Sequence, residues 1–300
     1  MTFCLLKSIC FKYCFHNFKN LQSYDIKLIA TSNNNCKDSL TRTLIDVFPQ
    51  PKANFSSTDS ACIGTPISFT NTSDGLVRPI TQWNWDFDNG STDVSKDPNY
   101  LFRTTGTFNV SMFVISSEGC ISDTAYKAIT VHAYPKISAG PDMFVLDDGQ
   151  KTINATASGN GLSYLWDPAI YLSATNILQP KVVFPDQDIT YTLAVTGRGG
   201  CTSFDDVLVT VLKLPKPPNT FTPNNDGFND RWDVKYLDQY PGCIIEVYNT
   251  QGQMVYKSIG YGTSWDGTYR GNPLPSGTYY YVIDPKSGRS KIAGYVTIIK

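Results

Sequence analysis

Histidine is almost missing from this chain: His16 and His132 are the only two among 300 residues. A Ser-His-Asp or Cys-His arrangement would have to recruit one of them as general base. His16 falls in an incomplete module and His132 at a module boundary, so neither is placed for that work. Charge is scarce too. Charged residues make up 17% of the chain and leave a formal net charge of −1, which excludes a basic nucleic-acid surface and a strongly acidic binding face. No stretch approaches the roughly eighteen apolar residues of a membrane-spanning helix. Little Ala/Leu/Glu/Lys periodicity is present to build helices, and no motif calls for a cofactor.

What is abundant points the other way. Aromatics reach 13%, with 18 Tyr, beside 22 Gly and 18 Pro, the composition of short strands joined by tight turns. A chain of 300 residues ordinarily holds two or three domains. Near the C-terminus, Gly/Pro punctuation separates aromatic and β-branched runs: Ile244 to Tyr248, Met254 to Tyr256, Thr278 to Ile283 and Gly294 to Ile299. These predict a compact antiparallel module. Upstream, three segments share one layout, a strand, then a short turn ending in cysteine, then a β-branched strand and a proline. They are Ser23 to Ala30 before Cys36, Thr107 to Val114 before Cys120, and Thr190 to Thr196 before Cys201. The first two superimpose without a gap at an offset of 84, pairing Tyr24 with Phe108 and Ile26 with Val110, and the next step is 81. Each repeat is about one immunoglobulin-sized sandwich long.

The C-terminal segment carries Thr222-Pro223-Asn224-Asn225-Asp226-Gly227-Phe228-Asn229-Asp230, Tyr248 to Tyr256, Trp265-Asp266-Gly267, Leu274 to Tyr281 with Gly277 and Tyr279, and Gly294 to Lys300. On these residues it resembles the gliding-motility-associated C-terminal domain, the type B sorting signal of the bacterial type IX secretion system. Asn225 stands where that family usually has Gly, and Thr250-Gln251 where it has Arg-Trp. The resemblance implies passage across the outer membrane through the type IX machinery, and hence a secreted or cell-surface location.

Residues 50–133 carry Trp85-Asp86-Phe87-Asp88-Asn89-Gly90, then Tyr100 and Gly106-Thr107-Phe108-Asn109-Val110, and resemble the polycystic-kidney-disease (PKD) domain. In this stretch Phe108, Val110, Met112 and Val114 alternate with polar Asn109 and Ser111, one buried face and one wetter face. Asp86, Asp88 and Asn89 are read as holding their own turn. Residues 134–213, with Trp166-Asp167-Pro168 and Thr190 to Leu193, are similar to the immunoglobulin-like modules that often precede this sorting domain. Trp166 is expected in the core rather than on a sugar. Residues 1–49 read as the closing strands of a truncated PKD-like domain, and residues 1–48 are expected to be poorly ordered or packed on something the sequence does not show. Lys7 and Lys12 break the first apolar run, which argues against a signal peptide there. Leu214 to Pro218 reads as a stiff spacer before a sorting domain at 217–300. The predicted fold is all-β: tandem immunoglobulin-like sandwiches ending in an antiparallel β-sandwich sorting domain.

Within the PKD-like unit, Cys62 precedes one core strand and Cys120 follows another, a placement that predicts a disulfide between them and an oxidising compartment. Cys36 is expected to pair in the missing part of its own domain, Cys201 has no cysteine opposite, and Cys243 looks unpaired. Cys4, Cys10 and Cys14 are too far apart for a metal knuckle. Asn224, Asp226, Asn229 and Asp230 partly resemble a calcium loop but lack its closing Glu, so turn chemistry is the favoured reading. Asp147-Asp148 and Asp205-Asp206 read as turn and solubility residues rather than an acid/base pair. These features together predict a non-catalytic modular protein whose repeats act as spacers or adhesive modules toward a surface polysaccharide or a protein. The alternative is the accessory tail of a larger secreted hydrolase.

Overall fold

The computed structural model describes residues 3–5, 23–44 and 47–300. It divides into two compact units, one of residues 1–135 with 159–161 and 196–202, the other of residues 136–158, 162–195 and 203–300. The all-β expectation holds: among the described residues the only helical pieces are two single-turn 3-10 segments, Arg198–Gly200 and Leu237–Gln239.

In the first unit, a five-stranded sheet runs Thr92–Asp93, Ile80–Asp86, Gly106–Ser116, Ala125–His132, Ser60–Cys62. The last strand is parallel to its neighbour and the other pairs are antiparallel. Two short ladders, Phe55–Ser56 with Thr70–Asn71 and Pro66–Ser68 with Asn99–Leu101, carry Phe55, Ile67 and Phe69 into the same core as Trp85, Phe87, Val110, Met112 and Val114. The alternation foreseen along Gly106–Ser116 appears as a buried row at every second residue, because successive side chains of a strand leave on opposite faces. Each apolar side chain of that row, Val110, Met112 and Val114, taken fully out of water, stabilises the sandwich by about 1.5–3 kcal/mol. The Asp86 turn also holds itself as expected. Asp86 Oδ1 accepts from Asp88 N–H at 2.8 Å and Asn89 Oδ1 from Ser91 N–H at 3.2 Å, whereas Asp88 Oδ2 reaches out of the turn to accept from Asn109 N–H on the strand Gly106–Ser116 at 2.9 Å.

The same unit contains the hairpin Tyr24–Thr31 with Lys37–Leu44. The expectation for residues 1–48 lies partly outside the described residues. The hairpin itself forms, yet Leu28, Ile29 and Leu40 stay exposed.

The second unit holds two further cores. Around Trp166, Tyr191, Leu193, Val195, Val207 and Val209 a four-stranded sheet runs Met143–Leu146, Thr202–Leu212, Ile189–Thr196, Ser163–Asp167. Trp166 lies in that core with its indole N–H donating to Ile177 O at 3.0 Å. Gln150–Thr152 and Thr156–Ser158 pair with different partners, while Ile153 and Ala155, between them, are buried in the core. The C-terminal sheet runs Thr220–Phe221, Ile292–Ile298, Gly277–Asp284, Ile244–Tyr248, Met254–Ile259. Its core gathers Trp232, Trp265, Tyr240, Ile245, Val247, Ile283 and Val296.

The spacer reading of Leu214 to Pro218 is corrected. Pro215 is buried, Lys213 N–H donates to Gln239 Oε1 at 2.8 Å, Lys213 O accepts from Tyr240 Oη at 2.9 Å, and Pro218 O accepts from the Trp232 indole at 2.8 Å. Proline stiffens a segment but does not keep it in solvent when its carbonyls meet buried donors.

Candidate functional site

The residues of the C-terminal signature, far apart in sequence, converge on one end of the C-terminal sandwich. The first piece is the loop from Thr222 to Asp230. Asp230 is its hub: Oδ1 accepts from the backbone N–H of Asn224 at 3.0 Å and Asn225 at 2.6 Å, and Oδ2 from Gly227 N–H at 2.8 Å. Asp226 Oδ1 accepts from Phe228 N–H at 2.8 Å, and its Oδ2 from Asn224 Nδ2 at 2.9 Å. The Phe228 bond first, then Asn224, holds the Asp226 carboxyl below the usual range, since hydrogen bonds to the charged form favour it. Thr222 N–H donates to Asn229 O at 2.8 Å and closes the loop. Asn225 sits at φ 62°, a left-handed conformation that glycine takes freely and that asparagine tolerates, which explains how Asn replaces the family's usual Gly. Phe228 is left 76% exposed at the tip.

The second piece is the turn Trp265-Asp266-Gly267. Trp265 and Trp232 pack edge to face, ring centres 6.4 Å apart, and Trp232 N–H donates to Trp265 O at 2.8 Å. Asp266 Oδ1 accepts from Thr268 N–H at 3.0 Å and Thr268 Oγ1 at 2.7 Å. Burial pushes this carboxyl up, but those two bonds outweigh it, and the net direction is down. Gly267 at φ 76° must be glycine: a Cβ there would stand 3.2 Å from both the Phe221 ring and Pro223 Cγ. Arg231 ties the two pieces, donating from Nη1 to Ser264 O at 2.7 Å. Between them lies a cleft of about 170 Å³ lined by Pro223, Asn225, Asp230, Arg231, Asp266 and Gly267 among others.

The remaining signature positions are structural supports. Tyr279 is buried, with its hydroxyl donating to Pro275 O at 2.9 Å. A Cβ on Gly294 would approach Tyr281 Oη to 2.5 Å, so this strand position admits only glycine without displacing the ring. Gly277 takes φ 153° with open space around its Cα.

Of the calcium candidates, Asn224, Asp226 and Asp230 direct side-chain oxygens at the loop's own N–H groups, and Asn229 contributes its backbone carbonyl to Thr222. The described residues contain no cluster of three His, Cys, Asp or Glu able to hold a metal. His132 ends the strand Ala125–His132; His16 lies outside the described residues.

The predicted Cys62–Cys120 disulfide is overturned. Cys62 is bonded to Cys201, and Cys120 is disulfide-bonded to another partner. The reason is strand polarity. Ser60–Cys62 runs parallel to Ala125–His132, with Cys62 beside His132, whereas Cys120 lies in the turn that leads into Ala125. The full length of an eight-residue strand, about 25 Å at ~3.3 Å per residue, separates them, far beyond the ~7 Å that a disulfide spans between Cα atoms.

Two further residues escaped the sequence. Arg289, its side chain only 4% exposed, donates to Asp147 at 2.7 Å, to Asp148 at 3.2 Å, to Leu212 O at 2.8 Å and to Tyr240 Oη at 2.8 Å. Asp147 and Asp148 are therefore anchors for a buried guanidinium rather than free solubility charges. No motif marks Arg289; only the packing shows it. Cys201 could have been flagged by its equivalence to Cys36 and Cys120.

With this geometry in place, the comparisons are decisive for two segments. Residues 215–298 match the CHU_C type IX secretion signal domain. Residues 49–131 match the PKD domain model. Among solved structures, the PKD1 domain of the Vibrio cholerae metalloprotease PrtV is 28% identical over 28% of this chain and 98% of its own, with a TM-score of 0.25. The PKD1 domain of Vibrio anguillarum Epp is 25% identical over 28% and 96%, TM-score 0.25. The fibronectin(III)-like modules of Clostridium thermocellum CbhA are 13% identical over 54% and 94%, TM-score 0.31. No curated protein matches the chain. A type IX secretion signal directs its chain to the cell surface or the medium and implies interaction with the type IX machinery. PKD and secretion-signal domains are non-catalytic modules. No helix among the described residues is long and apolar enough to cross a membrane.

Proposed function

We propose that this chain is a non-catalytic surface or secreted protein whose sandwiches act as spacer and adhesive modules, arranged as a PKD-like segment at 1–49, a PKD-like sandwich at 50–133, an immunoglobulin-like sandwich at 134–213 and a sorting domain at 217–300. The observation that carries the sorting role is the convergence of Thr222 to Asp230 and Trp265 to Gly267 on one cleft. Their polar groups are spent on shaping that end of the module, and what remains presented outward is a fixed surface with Phe228 at its tip. A recognition signal has that character, since a rigid surface is read without an ordering cost.

For the adhesive role, the first unit supplies an open cleft of about 380 Å³ lined by Trp83, Asn71, Arg78 and Lys96 among others. An aromatic ring beside amide and cationic groups suits a polysaccharide or a protein loop.

The test is a signal-peptide-bearing reporter fused to residues 136–300, so that Arg289 keeps Asp147 and Asp148. The reporter is expected at the surface or in the medium of a type IX-competent cell and retained in a translocon-null strain. Equal export by the reporter without these residues would remove the sorting role.

A further inference from the structure

The Cys62–Cys201 bond encloses nearly all of two hydrophobic cores. Of the buried residues around Trp85, every one except Phe55 lies between the two cysteines in sequence. Of those around Trp166, only Val207 and Val209 lie beyond Cys201. The chain enters the closed loop at the end of the strand Ser60–Cys62 and leaves it at the start of the strand Thr202–Leu212. One covalent bond therefore short-cuts a sequence separation of 139 residues.

The consequence is mechanical. Tension between a point before Cys62 and a point after Cys201 follows the shortest covalent path, which is the disulfide. Beyond it the load runs along the backbone of Thr202–Leu212. A strand already rises about 3.3 Å per residue against a limit of about 3.6 Å, so this one conducts the load and yields almost no length. The strands Met143–Leu146 and Ile189–Thr196 flank it in the sheet and lie off the path. Without the bond, the load would enter this core at the strand Lys136–Ser138 and leave it at Leu212. Met143–Leu146, paired in parallel on Val209–Leu212, would then have to resist in shear.

We infer that the Cys62–Cys201 bond is a load-bearing bypass: while oxidised, it carries tension along the chain past both cores, so that neither is drawn out. The open cleft lined by Asn71, Arg78, Trp83 and Lys96 falls inside the bypassed stretch. It therefore keeps its shape under tension between the chain ends, whether or not it takes a ligand. Reduction removes the bypass. A dithiol gives two electrons and two protons to the disulfide, closes to a cyclic disulfide itself, and leaves Cys62 and Cys201 as thiols. The residues between them then join the loaded path. Oxidising compartments, which exported chains reach, keep the bypass in place.

The test pulls the full exported chain by its two ends in a single-molecule force instrument, before and after dithiothreitol. The fully extended length is expected to be about 500 Å greater after reduction, for 139 residues at about 3.6 Å each. The same gain is expected in Cys120→Ser, which lacks the disulfide at Cys120, and no gain in Cys120→Ser/Cys201→Ser. Equal lengths before and after reduction overturn the inference. So does a gain that survives in the double variant, which would place the short cut elsewhere. Should Cys120→Ser misfold, the unmodified chain decides by itself, because a fully extended length does not depend on whether the reduced chain is folded.

Discussion

The hairpins Tyr24–Thr31/Lys37–Leu44 and Gly106–Ser116/Ala125–His132 are successive copies of one sequence element in two environments. Met112 is 0% exposed, and its equivalent Leu28 is 45% exposed. Near the turn both hairpins pair alike, Ala30 with Asp38 in one and Val114 with Ser122 in the other. Beyond it they diverge. Leu28 faces Leu40, whereas Met112 faces Ala125, the equivalent of Thr41. The second hairpin has taken in one extra residue as a bulge, and a one-residue shift sends every following side chain to the opposite face. An opposing sheet that buries Val110, Met112 and Val114 supplies the reason to hold that register. With no such sheet over it among the described residues, the first hairpin keeps the regular pairing.

Several measurements would break or sharpen this contrast. The largest effect belongs to the disulfides. Cys62 and Cys201 are 139 residues apart, so Cys201→Ser should lower stability by about 4–5 kcal/mol in the chain-entropy estimate, seen as a fall in Tm of the oxidised chain. Cys36→Ser should stay within about 0.5 kcal/mol of the parent chain. Equal losses would show that the first hairpin is as constrained as the rest.

Next comes the core itself. Met112→Ala should cost about 2–5 kcal/mol in denaturant unfolding, and Leu28→Ala less than about 0.5 kcal/mol. A comparable loss for Leu28→Ala would mean that the first hairpin has a covered face after all.

Arg289 offers a smaller, pH-dependent effect within the second unit. Burial raises the Asp147 carboxyl, but the Arg289 bond and the Leu214 N–H outweigh it and the net pKa is lowered from 3.8. A depressed native pKa contributes stability that is present above the unfolded value and lost as pH falls through the native one. Acid unfolding of the second unit should therefore lose this contribution below about pH 4. Arg289→Ala should flatten that dependence and cost about 1–3 kcal/mol at neutral pH, since Asp147 and Tyr240 lose their donor. An unchanged acid profile would remove Arg289 as an anchor.

The smallest effect concerns calcium. Because the oxygens of Asn224, Asp226 and Asp230 already accept loop N–H groups, saturating calcium should leave the Tm unchanged. A cation site filled at 100 times its Kd would instead add about 2.7 kcal/mol, and Asp226→Ala would abolish that gain.

Much of the fold was legible residue by residue. Phe108, Val110, Met112 and Val114 alternate with other residues including polar Asn109 and Ser111, and the strand Gly106–Ser116 buries Val110, Met112 and Val114 and half-buries Phe108. Trp166 lies in a core as its position suggested. The Asn/Asp/Gly signatures at 86–90 and 224–230 form turns by bonding their own backbone, which is local chemistry that neighbours in sequence decide. Other features were not legible. Nothing near Pro215 announces that it will be buried, and nothing near Asp147 announces a guanidinium.

By itself, then, the sequence determined the strands, the turns and the signature of the secretion domain, because alternation, glycine conformation and Asx bonding act over a few residues. Tertiary structure alone decided that Cys62 meets Cys201 across 139 residues, that Arg289 meets Asp147 across 142, and that the hairpin of Met112 carries a bulge where that of Leu28 does not. A strand pattern says which face is apolar but not which partner, polarity or register will cover it. Those are set by the free energy of the packed whole, in which strand direction placed Cys62 and Cys120 at opposite ends of one sheet and left each to bond elsewhere.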